Sequence, residues 1–200
     1  GKVANSESWD GTNWTEVNDL NTARASLGSG SLTAPTSFAV GGYVTTVRAE
    51  VESYDGTSWT EVAEMNTARN GPFLSGNNSN AICSGGSVEP GVQTKAELWN
   101  GSSWTETGDI NTARYNGGAA GTYTSALIFG GSNQAGTRDA ETEFWNGSSW
   151  TEVADLSTAR NYQDGAGSSA INAIYAGGSP GVSATEEWTA SNAVVTVTTS

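Results

Sequence analysis

Nine glutamates recur at regular places: Glu16, Glu61, Glu106 and Glu152 in Trp-Thr-Glu triplets, and Glu7, Glu52, Glu97, Glu143 and Glu187 beside aromatic residues. Two carboxylates flanking one bond would be the apparatus of a glycosidase. Arg24, Arg69, Arg114 and Arg160 each end a Thr-Ala-Arg triplet, five residues after Asp19, Glu64, Asp109 and Asp155. A ring of guanidinium groups would bind an anion, and eight tryptophans could stack on sugar rings. Every one of these residues, however, occupies a repeated slot. Catalysis needs one acid and one base in unequal places, and a ring of arginines interleaved with acids loses its pull on an anion. The repeated residues are therefore expected to be structural. The tryptophans would pack between repeats, burying ~150–250 Å² each, and Asp19–Arg24, Glu64–Arg69, Asp109–Arg114 and Asp155–Arg160 would be ion pairs that tie down a loop.

Composition removes several other chemistries. There is no histidine, which excludes Ser-His-Asp and Cys-His catalysis and His-ligated zinc. The lone cysteine, Cys83, leaves no internal disulfide and no paired-cysteine metal site. It falls on an apolar run, where a small buried residue is expected. No EF-hand or calcium-binding nonapeptide pattern occurs, so no metal and no cofactor are expected. The 21 acidic against 8 basic residues give a net charge of −13, which argues against nucleic acid and anionic membrane surfaces as partners. No apolar run approaches the ~20 residues of a membrane span.

The elements that must position these side chains follow from the repeat. Trp14, Trp59, Trp104 and Trp150 are spaced 45, 45 and 46 residues apart, and the four arginines keep the same intervals. Gly-Gly pairs stand at 41–42, 85–86, 130–131 and 177–178. Asp55-Gly56, Asn100-Gly101 and Asn146-Gly147 lie between short runs and accept positive φ, which predicts β-hairpins with either a two- or a four-residue loop. Ahead of each Gly-Gly lies an apolar run such as Ala126-Leu127-Ile128-Phe129, as expected of a strand covered on both faces. No stretch keeps a 3.6-residue apolar period. Each unit of ~45 residues thus supplies about four strands, and four-stranded sheets at this period are propeller blades.

An apolar strand ending in Gly-Gly, then an aromatic and a Trp, as in Gly41-Gly42, Tyr54 and Trp59, resembles the kelch repeat. The interval from aromatic to Trp is shorter than the usual kelch spacing, and the Asp/Asn-Gly turn accounts for it. The resemblance covers nearly the whole chain. It implies an all-β, kelch-like β-propeller of four-stranded antiparallel blades. Four blades are expected, with the N- and C-termini sharing the closing blade; the alternative is five blades, one incomplete. The propeller would occupy residues 1–190 as units 1–23, 24–68, 69–113, 114–159 and 160–190, with 191–200 a C-terminal strand or tail. The style of the units, Asn-Gly-Ser-Ser-Trp-Thr-Glu with Asn-Thr-Ala-Arg, is similar to kelch-like repeats of marine bacteriophages and bacteria. That likeness implies a virion-surface, fibre-associated or extracellular location. Kelch-type copper oxidases use histidine ligands absent from this chain, so the expectation is a protein that is not an enzyme.

Departures from the repeat point to the recognition surface. The interval from Trp to Arg is ten in every unit, whereas the connections after Gly-Gly, residues 43–49, 87–96, 132–142 and 179–185, vary in length. They carry Tyr43 and the non-repeated charges Arg48, Glu89, Lys95, Arg138 and Asp139. Variable loops on a rigid frame are where recognition resides. These six residues are the candidate contacts to other protein subunits of a virion or extracellular assembly, or to a cell-surface glycan as for a soluble lectin.

Overall fold

The computed structural model describes residues 2–30, 34–162, 165–181, 183–191 and 194–199. The strands in chain order are β1 (Ser6–Trp9), β2 (Trp14–Val17), β3 (Gly28–Gly30), β4 (Phe38–Val40), β5 (Val51–Tyr54), β6 (Trp59–Val62), β7 (Phe73–Gly76), β8 (Ala81–Ser84), β9 (Ser87–Val88), β10 (Gly91–Val92), β11 (Ala96–Trp99), β12 (Trp104–Thr107), β13 (Gly118–Thr122), β14 (Ser125–Phe129), β15 (Thr142–Trp145), β16 (Trp150–Val153), β17 (Gly165–Ser169), β18 (Asn172–Ala176), β19 (Thr185–Ser191) and β20 (Val194–Thr199). One 3₁₀ turn, Ala34–Thr36, is the helical content of the described residues. Sixteen of the strands form four four-stranded antiparallel sheets, β3–β6, β7-β8-β11-β12, β13–β16 and β17–β20, and β1–β2 and β9–β10 are two-stranded. The four-stranded sheets are the blades of a four-bladed β-propeller, with β3, β7, β13 and β17 innermost.

Each outer hairpin pairs its two aromatic ends directly: Tyr54 with Trp59, Trp99 with Trp104, Trp145 with Trp150. The loop between them has four residues. Its first side chain caps it: Asp55 Oδ1 accepts the N–H groups of Thr57 and Ser58, and Asn100 and Asn146 do the same in their loops. The N–H of Ser58, then that of Thr57, holds the Asp55 carboxyl below the usual range.

The core lies between blades. Phe38, Val40 and Met65 of the first blade pack with Leu74, Cys83, Trp99 and Trp104 of the second. Ile82 and Phe73 then meet Ile128, Trp145 and Trp150, and Leu127 and Phe129 meet Ala173 and Tyr175. In this pattern the aromatic pair of one blade lies on the Gly-Gly strand of the blade before it, as Trp99 and Trp104 do against Phe38, with ring centroids 5.5 and 5.9 Å apart. Cys83 is buried as expected, and burial pushes its thiol up to about 12.

The closure differs from the expected one. The termini do not share a blade: the last sheet draws all four strands from residues 165–199, with β20 as its outer strand. Residues 192, 193 and 200 of the expected C-terminal segment lie outside the described residues. The N-terminal β1–β2 hairpin stands apart as a two-stranded sheet, paired Trp9 to Trp14 like its counterparts. The C-terminal run Val194–Thr199 is β-branched throughout, which suits it to complete its own sheet.

Candidate functional site

The repeated arginines and glutamates form four buried clasps. Arg24 Nη2 donates to Glu52 Oε1 at 2.8 Å and Arg114 Nη2 to Glu143 Oε1 at 3.0 Å, while Arg69 pairs with Glu97 and Arg160 with Glu186. The other arm of each fork donates to two carbonyls, for Arg114 those of Gly130 at 3.0 Å and Glu141 at 2.6 Å. The second carboxylate oxygen accepts from the residue that opens the Asn/Ser-Thr-Ala-Arg motif: Asn21, Asn66 and Asn111 through both backbone and side-chain amide, Ser157 through its backbone. A guanidinium supplies this planar set of donors; an ammonium would not. Burial pulls Arg24 below its ordinary value and the Glu52 carboxylate opposes that shift.

These partners correct two expectations. Asp19, Glu64, Asp109 and Asp155, expected to pair with Arg24, Arg69, Arg114 and Arg160, are exposed, while the arginines are buried. A turn of five residues carries the acid outward and leaves the guanidinium to reach inward to the third strand. The repeated acid of the last unit is Glu186, two residues before Trp188 as Glu143 is before Trp145; the neighbouring Glu187 is exposed.

Three of the four clasps also join two blades. The carbonyl oxygens of Arg69, Arg114 and Arg160 accept the N–H groups of Gly42, Gly86 and Gly131 of the preceding blade, all at 2.9 Å. The first glycine of each pair, Gly41, Gly85 or Gly130, has φ between 60 and 65°, and a Cβ there would lie 2.5–2.7 Å from that arginine carbonyl. Positive φ and backbone approach together demand glycine.

The variable connections share one end of the propeller with these clasps, because Tyr43, Ser87, Ser132 and Ser179 bridge to Ala25, Asn70, Tyr115 and Asn161, each the residue after an arginine. Among the six candidate contacts, Glu89, Lys95 and Arg138 are exposed loop residues. Glu89 stands in the turn between β9 and β10, whose Pro90 carbonyl accepts from Gln134 of the next blade. Arg138 reaches Ser179 Oγ of the following blade at 3.0 Å. Tyr43 is half-buried under the Lys2 ammonium. Arg48, Lys95 and Asp139 are tied into the frame through their carbonyls. Arg48 pairs with Glu50, and its carbonyl accepts the Arg69 N–H; the Lys95 carbonyl accepts the Arg69 guanidinium while its ammonium meets Glu106 at 3.0 Å. The Asp139 carbonyl accepts the Arg160 N–H.

Burial first, then the Glu141 charge, raises the Asp139 carboxyl above its usual range, with Arg114 opposing. A raised carboxyl binds protons more tightly in the folded state, so stability rises as pH falls through the folded value towards the unfolded one. Asp139→Asn is therefore expected to raise the melting temperature at pH 7, and the gain is expected to vanish below pH ~4, as thermal melts at both pH values will show.

Sequence reasoning missed the inner rim. The second residue after each arginine, Ser26, Gly71, Asn116 and Tyr162, has φ of 51–59°. Their backbones are linked around the axis: Tyr162 N donates to Asn116 O and Asn116 N to Gly71 O, both at 2.8 Å, and Gly71 N to Ser26 O at 2.6 Å. Their side chains differ, and Tyr162 is 62% exposed. With Leu27, Pro72 and Phe73 they border a cavity of ≈ 280 Å³. The signal available was a fixed offset from the Thr-Ala-Arg triplet with four different residues in it. Among the described residues, no group of three or more Cys, Asp or Glu side chains is placed to hold a metal ion.

No protein-family model and no curated protein matches the sequence. Among 182 matching solved chains is the structure of YjhT, with a TM-score of 0.75 over 93% of this chain and 72% of that one, at 12% identity. The chain shares its propeller fold with YjhT. At that identity the likeness extends to the fold alone.

Proposed function

We propose that this propeller is a non-catalytic attachment module of a kelch-like kind, displaying variable loops on a rigid frame as part of a virion surface, fibre or extracellular assembly. The observation that carries the reading is where the reactive side chains go. Four arginines and their four glutamates are used up in buried clasps, while the exposed charges that vary, Glu89, Lys95 and Arg138, stand on connections tied to the neighbouring blade. The virion location draws its support from the resemblance of the repeat style. Antibody raised against residues 87–92 and 133–138, used with gold on intact parent particles, tests it. Labelling of the particle exterior is the expected result; labelling confined to the soluble fraction would remove the reading.

A second reading, a glycan-binding lectin, is favoured by the exposed Tyr162 ring beside Asn116 at the ≈ 280 Å³ cavity, since an aromatic face with an amide suits a sugar. A glycan array probed with the protein and with Tyr162→Ala decides it: signal lost in the variant supports a lectin, and background signal from both removes it.

A further inference from the structure

The sequence holds four Asn-Gly dipeptides, at 70–71, 100–101, 116–117 and 146–147. Asparagine before glycine can lose its amide, because the glycine nitrogen reaches the side-chain carbon with no Cβ to shield it. The fold puts the four in two settings. The first and third are half-buried or buried and fastened at the inner rim. Asn70 N–H and C=O both pair with Ser87, at 3.0 and 2.8 Å, and the Gly71 N–H donates to the Ser26 carbonyl at 2.6 Å. Asn116 N–H donates to the Gly71 carbonyl and its own carbonyl accepts the Tyr162 N–H, both at 2.8 Å. Asn100 and Asn146, by contrast, open the exposed outer turns of the second and third blades, and among the described residues nothing accepts the Gly101 or Gly147 N–H.

Each outer asparagine has its amide oxygen ringed by donors. Asn100 Oδ1 accepts the N–H groups of Ser102 and Ser103, both at 3.0 Å, and the Ser102 hydroxyl at 2.9 Å. Asn146 Oδ1 accepts the N–H groups of Ser148 and Ser149 at 2.9 and 3.0 Å and the Ser148 hydroxyl at 2.9 Å. Donors fixed on a carbonyl oxygen stabilise the oxyanion that forms when its carbon is attacked. The turn therefore sets a polarised carbon beside a nitrogen that carries no competing bond. The product also fits. Asp55 opens the matching turn of the first blade, and its carboxylate accepts the same two N–H groups at 2.8 and 2.9 Å. A carboxylate accepts such bonds more strongly than an amide.

We propose that Asn100 and Asn146 are self-modification sites, converted by their own turns to aspartate. The Gly101 nitrogen bonds to Asn100 Cγ and gives up its proton. The Cγ–Nδ2 bond breaks, and ammonia leaves with that proton, closing a cyclic imide. Water then adds to the same Cγ, whose oxygen still faces the two N–H donors, and the bond from Cγ to the Gly101 nitrogen breaks as that nitrogen regains a proton. Amide and water become carboxylate and ammonium, with no other reactant. Attack at Cγ restores the ordinary backbone. Attack at the other imide carbonyl would give isoaspartate, which routes the chain through the side chain and lengthens a turn closed by the Asn100 N–H on the Ser103 carbonyl. Asn146 follows the same course with Gly147. The outer corners of the second and third blades then carry the charge that Asp55 already gives the first.

The test holds the full chain in mildly alkaline buffer at physiological temperature, native and in urea. Peptide mapping by mass spectrometry follows the gain of one nominal mass unit at each Asn-Gly, and chromatography separates aspartate from isoaspartate. In urea the four sites lack structure and should convert alike. In the native protein Asn100 and Asn146 should convert at least as fast as in urea, and mainly to aspartate. Asn70 and Asn116 should convert about tenfold more slowly than in urea, or slower still, because the rim must open first. Ser102→Ala, which removes one donor from Asn100 Oδ1, should slow conversion of Asn100 severalfold in the native protein, with no effect in urea and none on Asn146. Asn100→Asp/Asn146→Asp should keep the parent melting temperature. Protection of Asn100 and Asn146 to the degree seen at Asn70 and Asn116 would overturn the proposal. So would isoaspartate as the main native product, a native rate indifferent to Ser102, or a lower melting temperature in the double aspartate variant.

Discussion

Arg114→Ala is expected to cost about 3–5 kcal/mol, the largest single-site loss outside the aromatic core, because it leaves the buried Glu143 carboxylate facing donors without its counter-charge. It also empties two carbonyl acceptors, those of Gly130 and Glu141. Three comparisons in urea unfolding make the result specific. Asp109→Ala, which alters the acid that precedes the same arginine by five residues, is expected within ~0.5 kcal/mol of the parent because Asp109 is exposed. The pair Arg114→Met/Glu143→Leu should cost less than Arg114→Ala alone, since removing both charges leaves no unpaired ion. Arg114→Lys should recover only part of the loss, because a single ammonium cannot span the carboxylate and both carbonyls.

The second large effect separates buried from exposed members of one sequence class. Trp145 is fully buried and its indole N–H donates to the Tyr123 carbonyl at 2.9 Å. Trp145→Ala should cost about 3–5 kcal/mol by cavity formation and loss of that bond. Trp14 opens the same Trp-Thr-Glu triplet as its neighbours in sequence yet is 65% exposed, so Trp14→Ala should change stability by ~0.5 kcal/mol or less. Equal losses at the two positions would mean that the N-terminal hairpin packs in solution as the other hairpins do.

Much of this architecture can be read from the residues. The 45-residue spacing of Trp and Arg, the Asp/Asn-Gly turns and the Gly-Gly pairs specify strands, hairpins and blades, because each is a local rule about alternation or positive φ. The partners of the arginines could not be read the same way. Asp109 is five residues from Arg114 and Glu143 is 29, and a local rule favours the nearer acid; the sheet register, which only the fold supplies, brings Glu143 to the guanidinium. The closure was hidden for a similar reason. Whether β20 joins β19 or yields that place to the N-terminal hairpin depends on a long-range choice between two eligible strands. Of the expected contact surface, Glu89, Lys95 and Arg138 do stand exposed on the loops. Arg48, Lys95 and Asp139 serve the frame through carbonyl groups, to which the side-chain sequence gives no clue. The rim residues Ser26, Asn116 and Tyr162 share a backbone conformation and no side-chain chemistry, so no motif marks them.

The central claim is that the arginine clasps join neighbouring blades into one cooperative body. Native-state hydrogen exchange on the amides of Gly42, Gly86 and Gly131, which donate to the arginine carbonyls of the next blade, tests it most directly. The account predicts that these three amides exchange only through a common opening, with a free energy equal to that of global unfolding. Exchange of the three at unrelated rates, as fast as the exposed turn amides of Gly56, Gly101 and Gly147, would contradict it.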